Sequence, residues 1–203
     1  MEKEKYSNMQ SIGGLLVLVL IIGGLYFFMN KTNDGDVQNT SKKEVITNPV
    51  VVMETGKGNI EIELFMDKMP KTAGNFKKLV EEGFYDGVRF HRVIDNFMIQ
   101  GGDPLSKDES KKDFWGTGGP GYAIDDEFVE GLSNVRGTIA MANSGPNTGG
   151  SQFFINTVDN IGLDFDKPPF TSKHPVFGKV VEGMDVVLSI EKDDVINKIY
   201  IKK

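Results

Sequence analysis

The sequence predicts a mainly β fold: an antiparallel barrel plugged by helices. Glycine is frequent, at 24 of 203 residues, which marks many turns. Short runs of alternating or β-branched residues recur from Val50 to the C-terminus. Helix-period segments are few, and one falls early among the strands, a pattern that suits a closed barrel with helical plugs.

In chain order, a short flank (1–11) precedes the first apolar element. Ile12–Met29 carries no charge, and the uncharged stretch runs from Tyr6 to Asn30. About 20 apolar residues cross a hydrocarbon core, so 12–29 is expected to be a single transmembrane anchor. Tyr26, Phe27 and Phe28 would suit the far interface. A cleaved signal peptide is the competing reading, but the best small-x-small site ends at Gly24, inside the apolar run. Lys3 and Lys5 before the span and Lys31, Lys42 and Lys43 after it leave the positive-inside balance nearly even. A lone span at the N-terminus favours an extracytoplasmic domain at the cell membrane. Residues 30–48 are polar and without periodicity, as a flexible linker would be. Asn30-Lys31-Thr32 and Asn39-Thr40-Ser41 fit the glycosylation pattern, which arises often by chance.

The remainder, 49–203, reads as one domain. Val50–Thr55 and Asn59–Phe65 flank a Gly56-Lys57-Gly58 turn, as a hairpin would. Lys71–Glu82 places Ala73, Phe76, Leu79 and Val80 on one helical face and is stopped by Gly83. Strands are expected at Val88–Ile94, Phe97–Gln100, Thr138–Ala142, Gln152–Asn156, Pro175–Val181 and Val195–Ile201, with a second short helix at Gly183–Ile190.

Composition narrows the function. The net charge is −6, and only Arg89, Arg92 and Arg136 are arginines, so nucleic acid is not the expected partner. There is no cysteine, which removes disulfides, thiolate catalysis and Cys-based zinc sites. Two histidines, His91 and His174, are too few for a metal site, so no metal and no cofactor is expected. Gly116–Gly121 matches GxGxxG, but Pro120 interrupts it and no helix pattern follows, so a loop is the better reading than a dinucleotide site.

Three blocks carry more information. Phe90–Asp103 reads FHRVIDNFMIQGGD, Met141–Ile155 reads MANSGPNTGGSQFFI, and His174–Gly178 reads HPVFG. In this order and at these separations they closely resemble the cyclophilin family, and Gly116–Phe128 (GTGGPGYAIDDEF) resembles the segment between the first two. The resemblance covers essentially everything after the linker. It implies a closed eight-stranded antiparallel barrel capped by two α-helices. It also implies isomerisation of the peptide bond before proline in polypeptide substrates, at a shallow pocket on the outer barrel surface. By position within the motifs, Arg92 resembles the family's catalytic arginine. Phe97, Met98 and Phe154 resemble the apolar floor and walls, and Gln100 and Gln152 the polar positioning groups. Ala142 and Asn143 resemble the edge that pairs with substrate backbone, and Leu163 and His174 the rim.

Those residue types suit the chemistry. X-Pro bonds are nearly degenerate between cis and trans but interconvert over tens to hundreds of seconds. Amide resonance sets that barrier at roughly 18–20 kcal/mol. No covalent bond breaks, so the enzyme need only bind the twisted amide better than either planar form. Twisting frees the proline nitrogen lone pair, and a fixed guanidinium, charged at any relevant pH, can donate to it. The apolar side chains would hold the ring while the acyl side turns.

Each residue also has a plainer reading. Arg92 could be a surface cation; Phe97, Met98 and Phe154 could be core; Gln100 and Gln152 could satisfy backbone groups. Phe153 and Phe154 must face opposite sides of a strand, and the resemblance selects Phe154 for the pocket. His91 reads as structural. Many family members carry tryptophan just before the residue matching Leu163, where this chain has Gly162; its only tryptophan, Trp115, lies in another loop. Weak cyclosporin binding is therefore expected. Asp166–Ser172 and Leu105–Trp115 read as longer surface loops beside the pocket. The other functional class left open is a proline-peptide binding module or chaperone with incidental isomerisation.

Overall fold

The computed structural model describes residues 48–203. The expected anchor at 12–29, the glycosylation triplets and all but the last residue of the linker lie outside the described residues. Among the described residues, no helix is long and apolar enough to cross a membrane.

Eight strands form one antiparallel sheet: β1 Val50–Thr55, β2 Gly58–Leu64, β3 Arg92–Ile94, β4 Met98–Gly101, β5 Thr138–Met141, β6 Phe153–Asn156, β7 Val176–Glu182 and β8 Ile196–Ile201. Their order is β3-β4-β6-β5-β7-β2-β1-β8. Strand count and pairing sense agree with expectation, but the barrel is open rather than closed. Val88–His91 was expected to extend β3. It instead meets the turn before β8 through a single bridge, Arg89 to Val195. Phe90 and Asp193–Asp194 exchange backbone bonds there, and Ile196 bonds Val88 and Gly87. Asp193 has a left-handed backbone (φ 74°), which interrupts regular pairing at the seam.

Helix α1 (Pro70–Glu81) buries Ala73, Phe76, Leu79 and Val80, the face expected from periodicity. Its first amides find no cap in Met69. The Glu127 carboxylate reaches across instead, accepting from Thr72 N at 2.8 Å and Lys71 N at 3.2 Å. A shorter helix, α2 (Met184–Ser189), follows β7 and buries Val187.

The pleat separates two apolar layers. Val93, Ile99, Ile155 and Ile139 lie directly opposite one another across four strands. The last three belong to the buried interior with Phe153, Phe76 and Phe177, and Val93 packs against it. One residue along, Arg92, Gln100, Phe154, Ala140 and Val176 form the parallel row from β3 to β7. That row faces outward, where Met98, Ala140, Phe154 and Val176 make a second, smaller apolar cluster. Alternation along each strand thus lays an apolar shelf on the outer face with a cation at one end.

Candidate active site

Above the shelf lies an open cavity of about 570 Å³. Nine of the ten residues singled out from sequence line it; the tenth, Gln152, lines an adjoining cavity of about 420 Å³. Met98 and Phe154 are buried beneath the cavity, with Phe97, Ala142 and Leu163 packed against them half-buried. Phe153 points into the interior and Phe154 to the cavity, as alternation requires.

Arg92 is exposed at the cavity edge. Its Nη1 donates to Gln100 Oε1 at 3.1 Å, and among the described residues no carboxylate pairs with it. A relay follows. Gln100 Nε2 donates to Gln152 Oε1 at 3.0 Å. Gln152 Nε2 then donates to the carbonyls of Gly116 and Gly118, both at 2.9 Å. The amide orientations are forced: a guanidinium only donates and carbonyls only accept, so each glutamine must present oxygen toward Arg92 and nitrogen away.

The far end of the relay is anchored by Asp103, which is fully buried. Its carboxylate accepts from Gly116 N, from Gly118 N at 3.1 Å and from Leu105 N at 2.7 Å. A Cβ at Gly118 would lie 2.1 Å from Asp103 Oδ1, so only glycine allows this approach. The segment Leu105–Trp115, expected as a surface loop, folds as two 3-10 turns, Pro104–Lys107 and Glu109–Phe114.

Along the expected backbone edge at Ala142 and Asn143, one donor is already paired. Ala142 N is already taken by Gln152 O at 3.0 Å, whereas among the described residues neither Asn143 N nor Asn143 O makes a backbone bond. The Asn143 side chain turns away to Lys173 O at 2.8 Å.

On the rim, Leu163 sits in a 3-10 turn (Ile161–Leu163). The buried Asp164 fixes this turn by accepting from Asn134 N at 2.7 Å. His174 stands edge-on to Phe154, with ring centroids 5.3 Å apart. Its Nδ1 lies 3.0 Å from Met141 O, a pure acceptor, so Nδ1 carries the proton. Nε2 then accepts from the Ser172 hydroxyl at 2.8 Å. Burial pushes the His174 imidazole below its ordinary value, partly offset by the Met141 carbonyl.

Four lining residues were not chosen from sequence: His91, Trp115, Gly116 and Ser172. His91, read as structural, is only 8% exposed and also lines the cavity, and among the described residues neither ring nitrogen has a hydrogen-bond partner. Burial pushes it down too, against the opposing pull of Asp103. Trp115, set aside because it lies in another loop, is brought to the cavity by that loop's fold. Ser172 belongs to the 166–172 loop, so this loop touches the site through His174. A hydroxyl two residues before a pocket histidine was the only signal available. Among the described residues, no group of three or more His, Asp or Glu side chains could hold a metal.

Comparison with known proteins supplies the context. The family model described as cyclophilin-type peptidyl-prolyl cis-trans isomerase/CLD matches residues 50–203. The peptidyl-prolyl cis-trans isomerase of Acinetobacter baylyi is 47% identical over 143 residues, covering 70% of this chain and 71% of that protein. The peptidyl-prolyl cis-trans isomerase CYP71 of Arabidopsis thaliana is 44% identical over 77% of this chain, which spans only 23% of that longer relative. A Cryptosporidium parvum cyclophilin-type peptidyl-prolyl cis-trans isomerase, solved in the presence of the dipeptide Ala-Pro, is also similar. It has a TM-score of 0.61 at 30% identity and covers 76% of this chain and 99% of its own.

Proposed function

The chain belongs to the cyclophilin-type peptidyl-prolyl cis-trans isomerase family and is such an isomerase; from that premise we propose that Arg92 is its catalytic residue, acting on a proline seated over Met98 and Phe154. The supporting observation is the outer row. A guanidinium oriented by Gln100, with no carboxylate paired to it among the described residues, borders an apolar shelf of Met98, Ala140, Phe154 and Val176.

In the planar amide the proline nitrogen is conjugated and accepts no hydrogen bond. As the acyl group rotates, the nitrogen pyramidalises and its lone pair becomes available. Arg92 donates to it at that point only, so the interaction lowers the barrier rather than deepening a ground state. Phe97, Phe154, Leu163 and His174 hold the ring, and the open Asn143 N–H and C=O pair with the substrate backbone beside it. Ala-Pro in the presence of the Cryptosporidium relative agrees with a proline ligand of this kind. On a binding module this arginine would be dispensable. An X-Pro peptide assay of Arg92→Ala against wild type therefore decides between the two: loss of turnover with binding retained supports the enzyme, and unchanged turnover overturns it.

The clients we propose are exported or surface proteins, with the domain tethered outside the cytoplasm by residues 12–29, because an uncharged 18-residue run precedes it. Protease added to intact cells should remove the domain; full protection would refute this topology. Cyclosporin should bind weakly, since Gly162 offers no indole there; low-nanomolar inhibition would contradict this.

A further inference from the structure

We propose that Trp115 forms a second apolar subsite of the isomerase, one that receives a bulky apolar or aromatic side chain flanking the substrate proline. The inference rests on the isomerase reading and adds a determinant of substrate choice to it.

A tryptophan is ordinarily part of a core. Trp115 belongs to neither apolar cluster, and among the described residues no aromatic ring packs on it. It is half-exposed and lines the cavity that holds Arg92. Its neighbour Gly116 lies against His91, the residue before Arg92. The backbone that carries the indole therefore borders the cavity next to His91 and Arg92.

The ring is also held in place. Trp115 Nε1 donates to Asp108 O at 3.1 Å. Lys112 Nζ stands 5.0 Å and Arg89 Cζ 5.7 Å from the ring. Both cations are themselves fixed, Lys112 by Asp193 at 2.7 Å and Arg89 by Glu109 at 3.2 Å. The adjoining Gly116 is bound at N by Asp103 and at O by Gln152, which connects to Arg92 through Gln100. An apolar surface pre-positioned at a cavity mouth can take up a side chain without being ordered first, which is what a binding subsite needs. Gly116, the residue after Trp115, lines both this cavity and the adjoining one together with Gln100, Ala142 and Asn143, so a peptide lying across the two cavities would run beside the loop that carries the indole.

The test uses the described domain within the full chain and two series of X-Pro peptides. One series carries Gly or Phe just before the proline, the other just after it. For the series that reaches the indole, Trp115→Ala should reduce the Phe-over-Gly ratio of kcat/KM about 3- to 10-fold, with the change in KM, and Trp115→Phe should retain most of it. A ratio within twofold of wild type in both series overturns the proposal. If Trp115→Ala fails to fold, wild-type fluorescence decides, because Trp115 is the only tryptophan in the chain. A saturable emission shift with the Phe peptide supports the subsite; no shift at a concentration that occupies the enzyme overturns it. Failure of the isomerase reading would look different: the wild type would catalyse neither series.

Discussion

Gln152 is the joint between the cationic end of the site and the glycine-rich loop, and replacing it isolates what that joint contributes. Its amide accepts one bond, from Gln100 at 3.0 Å, and donates two, to the Gly116 and Gly118 carbonyls at 2.9 Å. A neutral hydrogen bond is worth about 0.5–1.5 kcal/mol net, so three set a ceiling of about 1.5–4.5 kcal/mol. The side chain is half-exposed, and water can replace part of what is lost. We expect Gln152→Ala to cost about 1–2 kcal/mol, a fall in Tm of roughly 2–8 °C for a domain of this size. Catalysis should suffer separately. Without Gln152 Oε1 the Gln100 amide can flip, and Arg92 loses its oriented acceptor. A bond to a charged group is worth about 1.5–3 kcal/mol, so partial loss of its alignment predicts a drop of about tenfold in kcat/KM. Gln152→Glu makes the sharper test. It keeps the shape and the acceptor for Gln100, but sets a carboxylate against two carbonyls and has no donor. It should be at least as defective as the alanine variant. Protease-coupled isomerisation and thermal melting of the single variants and of Gln100→Ala/Gln152→Ala would measure the coupling. Wild-type behaviour in Gln152→Glu, or additivity of the two alanine substitutions within about 0.3 kcal/mol, would refute the relay.

Other substitutions probe other parts. Gly118→Ala drives a Cβ to 2.1 Å from Asp103 Oδ1; the loop must shift, and a loss of about 2 kcal/mol or more together with reduced activity is expected from melting and turnover measurements. Glu127→Ala leaves the first amides of α1 without their carboxylate and should cost about 1 kcal/mol in denaturant unfolding, with little effect on kcat. Burial lowers both His91 and His174 in the folded chain from an unfolded value near 6.5. Between the depressed values and 6.5 the unfolded chain binds more protons, so this contribution is whole above about pH 6.5 and is lost as pH falls through the folded values. Tm should be flat between pH 7 and 8 and decline toward pH 5.5, with a shallower decline in His174→Gln; an equal slope in that variant would count against it.

Much of this was legible in the sequence because it depends on local periodicity. The apolar face of α1 follows from spacing alone, and the split of Phe153 and Phe154 between interior and cavity follows from the pleat. The positions of the shelf residues came from the three family-like blocks. What escaped reading is nonlocal. That the barrel stays open at β3 and β8 depends on how Val88–His91 meets Asp193–Ile196, more than 100 residues away, and the left-handed Asp193 is not signalled by its neighbours. The turns over Pro104–Phe114 expose nearly every side chain, so they leave no apolar period to detect. Trp115 reaches the cavity only because a buried Asp103 gathers the backbone on both sides of that loop. The bond from Ala142 N–H to Gln152 O joins residues ten apart across a glycine-rich turn, which no local period signals.

The most direct test of the central claim separates rotation from binding. Exchange NMR on an X-Pro peptide at saturating enzyme gives the on-enzyme cis-trans rate constant and the affinities of both isomers. For Arg92→Ala we expect the rate to fall about 100-fold or more, the scale of losing one donor aimed at a transition state, while each Kd stays within about threefold. A rate within a few-fold of wild type, or a defect carried wholly by Kd, would contradict a guanidinium that acts only on the twisted amide.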